Sequence, residues 1–283
     1  WVARGLADPQ LATALIPQAA DRYRQLLGRN PTDMEARQGL RHIREHIQQQ
    51  AREALDLQRF SDVESLLLLA ESTFPKAATE PKFQRLKKRM EVAVNVRALL
   101  EKAHERLQAN AMTTPSGNNA AEYFKRVLVI KPHQPVATKG LEDIARRYAA
   151  LATEQLAAGS ITKAQGLVSR GLGVDAGNTR LKAIAERIEQ QQSLAATLKQ
   201  ADQLRQQGSV LTPAGASALD AYRRVLAKQP RQAQALTALE MIEDDLVARI
   251  ESFISSNNYQ QATAEVSRAL FFFPASQTLQ GLQ

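Results

Sequence analysis

Four histidines and no cysteine bound the side-chain chemistry open to this chain of 283 residues. The absence of cysteine removes disulfides, thiolate metal sites, iron–sulfur clusters and cysteine nucleophiles together. His42-Ile43-Arg44-Glu45-His46 has an H-x-x-E-H spacing. On a helix, residues four apart share a face, so these two imidazoles could hold one metal ion with Glu45 beside them. A third ligand at useful spacing is missing, and His104 and His133 stand alone as expected surface residues. Serines occur without a Gly-x-Ser-x-Gly elbow, and no Gly-x4-Gly-Lys-Ser/Thr phosphate loop is present. Asp244 and Asp245 are adjacent, so on a helix their carboxylates diverge by about 100°. The expectation is a chain that is not an enzyme, with no catalytic, cofactor-binding or metal-ligating residues and no cofactor.

Charge is the remaining chemical lead. Lys and Arg number 37 against 29 Asp and Glu, a net charge of +8. Residues 1–98 carry 16 basic and 12 acidic groups, residues 99–196 carry 13 and 9, and residues 197–283 carry 8 and 8. The surplus therefore lies in the first two thirds. Its densest cluster is Lys82, Arg85, Lys87, Lys88 and Arg89. Such a cluster attracts acidic proteins, anionic lipid or nucleic acid; the alternative is an ordinary solvated helix face. Without interleaved aromatic stacking residues it argues against nucleic acid. Lys82, Arg85, Lys88 and Arg89 are the candidate partner-binding residues, joined by Arg146 and Arg147 as readers of a groove. Phe271-Phe272-Phe273 is a second candidate surface, because three consecutive rings on a helix cannot all face one core.

The elements that position these residues repeat. Thr114-Pro115-Ser116-Gly117 and Thr212-Pro213-Ala214-Gly215 lie 98 residues apart, as do Pro132 and Pro230. A first copy runs from Ile16-Pro17 through Tyr23 to Pro31, which lies 101 residues before Pro132; the shift implies a shorter loop after its first proline. A small residue followed by Leu recurs at Gly39, Gly140 and Ala238. His42 and His46 fall on Asp143 and Arg147 in the second copy and on Met241 and Asp245 in the third, so they behave as variable scaffold positions. Apolar residues at three- and four-residue steps, as in Ala137, Leu141, Ile144, Tyr148, Leu151 or Ala152 and Leu156, mark amphipathic helices, and no window alternates with period two. Short helices are expected near 17–29, 60–74, 115–130, 161–174, 213–228 and 259–273. Long ones are expected near 33–57, 78–109, 133–158, 177–207 and 232–256, with a stub at the end. Thr114 and Thr212 read as N-caps before a first-turn proline, and Gly159 as a helix stop.

Ala19, Ala120 and Ala218 each stand 12 residues before a proline, with a ring (Tyr23, Phe124, Tyr222) four residues on. Val63, Ala164 and Ala262 hold the corresponding slot of a second hairpin. This pattern resembles the tetratricopeptide repeat, with spacings longer than its usual period. The resemblance implies an all-α, right-handed superhelical solenoid of helical hairpins with elongated first helices. A single solenoid over 1–283 is expected, in three two-hairpin units of roughly 1–98, 99–196 and 197–283, the last incomplete. The Thr-Pro-x-Gly repeat also resembles periplasmic repeat domains of membrane-anchored envelope proteins of Gram-negative bacteria. That implies a scaffold for a protein or peptide partner, periplasmic and anchored to the inner membrane, with a cytoplasmic location as the alternative. The alternative functions are the accessory region of a larger peptidoglycan-acting or kinase-type enzyme, or a binder of an anionic envelope polymer. Trp1 fits a chain that starts just after a membrane helix, and the incomplete last unit suggests further protein after Gln283. Membrane attachment is expected only through a segment outside this sequence.

Overall fold

The computed structural model describes the backbone of residues 9–283 and the side chains from residue 15 onward. Trp1, and the expectation attached to it, lie outside the described residues. Twelve α-helices and one short 3-10 turn follow one another, with no strand among the described residues. They are α1 (Pro9–Arg29), α2 (Met34–Asp56), α3 (Phe60–Thr73), α4 (Pro81–Gln108), α5 (Ala120–Ile130) and α6 (Pro135–Ala157). Then come α7 (Ile161–Val174), α8 (Thr179–Gln206), α9 (Ala218–Lys228), α10 (Ala233–Ser255), α11 (Tyr259–Phe272) and α12 (Gln277–Gly281). Successive helices pack on one another, giving an all-α, solenoid-like fold. None is long and apolar enough to cross a membrane.

The chain divides into two compact units. The first comprises residues 1–147 and 173–176, the second residues 148–172 and 177–283. In the first, α1, α2, α3 and α4 bury Ile43, Ile47, Val63, Leu67, Phe74 and Phe83 in one core. In the second, α8 to α12 surround Leu219, Tyr222, Ile242, Ile250, Val266 and Leu279.

The repeated small residue and ring belong to one contact. A Cβ at Gly39 would stand 2.4 Å from Tyr23 Cζ, and one at Gly140 would stand 2.4 Å from Phe124 Cζ. Each ring therefore lies directly on the backbone of the following long helix, as the proximity of small and aromatic positions in the sequence requires. The stripe predicted on α6 is buried at Ala137, Ile144, Tyr148, Ala152 and Leu156, and Leu151 is the member that turns out to solvent.

Helix ends follow cap chemistry. Asp33, Asn178, Asn258 and Ser276 each accept a backbone N–H from three residues on, at the starts of α2, α8, α11 and α12. Each such cap is worth about 0.5–2 kcal/mol. Gly159 has φ +73° just past α6, as expected for a helix stop, and Gln58 and Asn257 take the same left-handed conformation at the equivalent slots after α2 and α10.

Three sequence expectations are corrected. Thr114 and Thr212 are not N-caps: both precede cis prolines in loops, and α5 and α9 begin only at Ala120 and Ala218. The caps are Asn119, which accepts from Glu122 N, and Ser217, whose hydroxyl and the Asp220 carboxylate form a reciprocal capping box. Ile16-Pro17 is not a first copy of that loop, since Pro17 lies inside α1. The three-residue offset of the first copy sits instead between α3 and α4, where the 3-10 turn Ala77–Thr79 has no counterpart between α7 and α8.

Both loops are tied down alike. Ala120 N donates to Ala111 O at 2.9 Å, and Ala218 N to Ser209 O at 2.9 Å. Gly117 and Gly215 adopt φ of +83° and +81°, conformations that disfavour any side chain. Gly215 N donates to the Asp220 carboxylate at 2.7 Å. Hydrogen bonds from Ser217, Gly215 and the cap backbone hold the Asp220 carboxyl below its usual range. Glu122 is lowered in the same way, first by the Gly117 N–H and then by Asn119.

Candidate binding groove

The first unit contains a groove of about 1210 Å³. Its floor is one face of α4. Arg85, Lys88 and Arg89, then Val92, Ala93 and Val96, then Arg97, Leu100, Glu101, His104, Glu105 and Gln108 follow one another at three- and four-residue steps. That spacing places them on one side of a helix. The turn from α2 to α3 forms one wall through Leu55, Asp56, Gln58 and Phe60. The turn from α5 to α6 forms the other through Ile130, Lys131, Gln134 and Val136.

An apolar row, Val92, Ala93, Val96 and Leu100, runs along the floor with charged residues beside and beyond it. Val96 is 6% exposed, but Val92 is 38% and Val136 45% exposed. An apolar strip of this kind on a helix surface, rimmed by polar groups, is the general signature of a contact site. At the α4 N-terminal end Arg89 Nη2 donates to Asp56 Oδ1 at 3.2 Å, and Arg85 Nε donates to Pro81 O at 3.1 Å. Half-way along, between Val96 and Leu100, Arg97 Nε donates to Glu101 Oε1 at 2.9 Å, and Glu105 lies towards the other end. Lys88 and Lys131 have no ion-pair partner among the described residues, so the rim carries uncompensated positive charge. His104 meets Leu100 O at 2.7 Å through Nδ1, and its ring stands edge-on to Phe124 at 5.7 Å between centroids.

Of the candidate residues, Arg85, Lys88 and Arg89 come together on the groove. Lys82 is exposed on the same helix but outside the lining. Arg146 and Arg147 are exposed on α6, away from the groove, and Arg146 Nη2 pairs with Asp143 Oδ1 at 2.7 Å. Val92, Val96 and Leu100 on α4 and Val136 on α6 join the basic residues in the lining without having stood out in the sequence. The first three form an i, i+4 apolar stripe, which reads equally as core. His42 is exposed and His46 half-buried with Nε2 unpaired, and no group of three or more His, Asp or Glu converges among the described residues. Phe271 is 81% exposed while Phe272 and Phe273 pack on the second core, as three consecutive rings require.

The internal repeat provides a comparison within the molecule. Helices α4 and α8 have the same length of 28 residues and align at a spacing of 98. Across that alignment Arg85 becomes Ala183, Lys88 becomes Glu186, Val92 becomes Gln190, Ala93 becomes Gln191 and Glu101 becomes Lys199. Leu198, the counterpart of half-buried Leu100, is 7% exposed. His104 becomes Asp202, which accepts from the Tyr222 hydroxyl at 2.5 Å and from Gln234 Nε2 at 2.9 Å. Burial, and then that carboxylate, push the Tyr222 phenol up to about 12. Comparison of the chain with protein-family models, with curated proteins and with solved structures yields no match.

Proposed function

We propose that this chain is a non-enzymatic scaffold that holds a protein or peptide partner in the groove floored by α4. The observation that carries this reading is the departure of α4 from its own repeat. Where α8 presents Gln190 and Gln191, α4 presents solvent-exposed Val92 beside Ala93, and where α8 has Glu186, α4 has unpaired Lys88. Folding alone gives no reason to expose Val92 beside Ala93 where the homologous helix carries two amides. The Ala-x3-aromatic pattern with Pro at +12 supports a tetratricopeptide-like right-handed superhelix. The Thr-Pro-x-Gly repeats support a place in the Gram-negative envelope, on the periplasmic side, with attachment to the inner membrane through a segment outside this sequence.

The test is site-specific photocrosslinking in envelope extract. A photoreactive residue replaces Val92 in one variant and Gln190 in another. The proposal expects a protease-sensitive adduct from position 92 and none from position 190. Equal labelling at both positions, or no adduct at 92, contradicts it.

A further inference from the structure

We infer that the occupant of the α4 groove is an amphipathic helix with carboxylates clustered at one end of its apolar stripe. This rests on the scaffold reading and specifies its partner. Three observations lead to it.

The first is shape. From Arg85 to Gln108 the floor runs about 35 Å at 1.5 Å per residue, enough for a helix of roughly 20 residues. The second is polarity. The apolar row Val92, Ala93, Val96 and Leu100 offers no side chain able to hydrogen-bond a ligand backbone, and Arg97 beside it is paired with Glu101. The described residues contain no strand whose edge could pair with an extended segment. A helix brings its backbone already hydrogen-bonded, so it alone covers such a floor without stranding N–H and C=O groups. Apolar side chains at four-residue steps on α4 also match the ridges of a facing helix.

The third observation is charge. Arg85, Lys88 and Arg89 crowd the N-terminal end of the floor, and Lys131 stands on the wall. Only Arg89 among them has a carboxylate partner, Asp56. Incoming carboxylates therefore meet Arg85, Lys88 and Lys131 without breaking an existing ion pair. Glu101 and Glu105 towards the far end disfavour a ligand that is acidic throughout. This combination excludes a uniformly charged polyanion as the best-fitting ligand and selects an end-acidic one. The equivalent α8 face keeps Arg187 at the Arg89 position but has Ala183, Glu186 and Gln190 in place of Arg85, Lys88 and Val92.

The experiment uses the 283-residue protein and two labelled 20-residue peptides. Both have leucines at i, i+3, i+4 and i+7 spacing and glutamines elsewhere. One has three glutamates in its first two turns, the other three lysines at those positions. Fluorescence anisotropy measures binding to wild type, to the double variant Arg85→Glu/Lys88→Glu, to Val92→Glu and to Gln190→Glu, with circular dichroism confirming helicity. Wild type is expected to bind the glutamate peptide at least tenfold tighter than the lysine peptide. The double variant is expected to invert that preference. Val92→Glu is expected to weaken the glutamate peptide at least tenfold, and Gln190→Glu to leave it unchanged. Equal affinity for both peptides, no binding of the glutamate peptide up to 1 mM on the order-of-magnitude scale of weak association, or a preference that survives the charge reversal overturns the inference. If photocrosslinking at position 92 still captures a protein while these peptides fail, the scaffold reading stands and the acidic-helix partner is wrong. If position 92 captures nothing, the scaffold reading itself fails.

Discussion

Helices α4 and α8 derive from the same repeat and share length and register, yet they treat their apolar residues differently. Both bury the first turns against their own unit, α4 through Phe83 and Leu86 and α8 through Leu181 and Ile184. Further along, α8 buries Ile188 and Leu198 where α4 leaves Met90 and Leu100 half-buried; Val96 and Leu194 are buried alike, and exposed Val92 stands where α8 has Gln190. The repeat fixes where a helix lies; the individual substitutions decide whether its second face is core or contact surface. A solenoid of helical pairs can thus vary one face of a helix without disturbing the packing of the other.

The largest effect that separates the two helices is core truncation. Leu198→Ala should cost about 2–5 kcal/mol in urea unfolding, the range for a fully buried leucine. Leu100→Ala, at a groove floor, should cost much less. Equal losses would make Leu100 a core residue and break the comparison. Next is the ring-on-backbone contact. Gly140→Ala forces a methyl into the buried Phe124 ring, and overpacking of this kind costs about 1–3 kcal/mol. At the same slot of the third copy Ala238 is already accommodated in the core that holds Tyr222, so Ala238→Gly should lose only about 0.5–1 kcal/mol, the helix-propensity difference. The caps follow: Ser217→Ala should destabilise by about 1 kcal/mol, and Asn119→Ala by a similar amount.

The next effect is one of pH and belongs to the second unit alone. Tyr222 is raised from the usual 10 to about 12 in the folded state. A raised folded value means its contribution to stability is complete below pH 10 and is lost as pH rises through 12. Urea midpoints between pH 9.5 and 11.5 should therefore fall more steeply for wild type than for Tyr222→Phe. Phe124, at the equivalent slot, contributes nothing of this kind. The smallest effect should come from Val92→Gln, which copies α8 and lies on the surface; stability should change by less than about 0.5 kcal/mol, with partner binding lost.

Much of this architecture was legible because helix and cap chemistry are local. The ends of α2, α3, α7 and α11 fall within a residue of their expected places, since Asp33, Gly159 and Asn258 announce them. The starts of α5 and α9 were misplaced by about five residues because Pro115 and Pro213 read as first-turn prolines. The real signals were the Asn119…Glu122 and Ser217…Asp220 spacings three residues apart. The groove was half legible. Arg85, Lys88 and Arg89 stood out as a charge cluster, but whether Val92 and Leu100 face a neighbour or solvent depends on what α2, α3, α5 and α6 place opposite them. That is a tertiary fact with no local signature. Arg146 and Arg147 stand out in the sequence by charge alone, and their place on α6 is outside the groove lining.

The central claim is that the α4 face binds and the equivalent α8 face does not. Methyl-resolved NMR of valine and leucine side chains, recorded while the glutamate peptide is added, tests it most directly. The account predicts shifts at Val92, Val96, Leu100 and Val136 with Leu194 and Leu198 unmoved. Shifts centred on Leu194 and Leu198, or spread evenly over both helices, would contradict it.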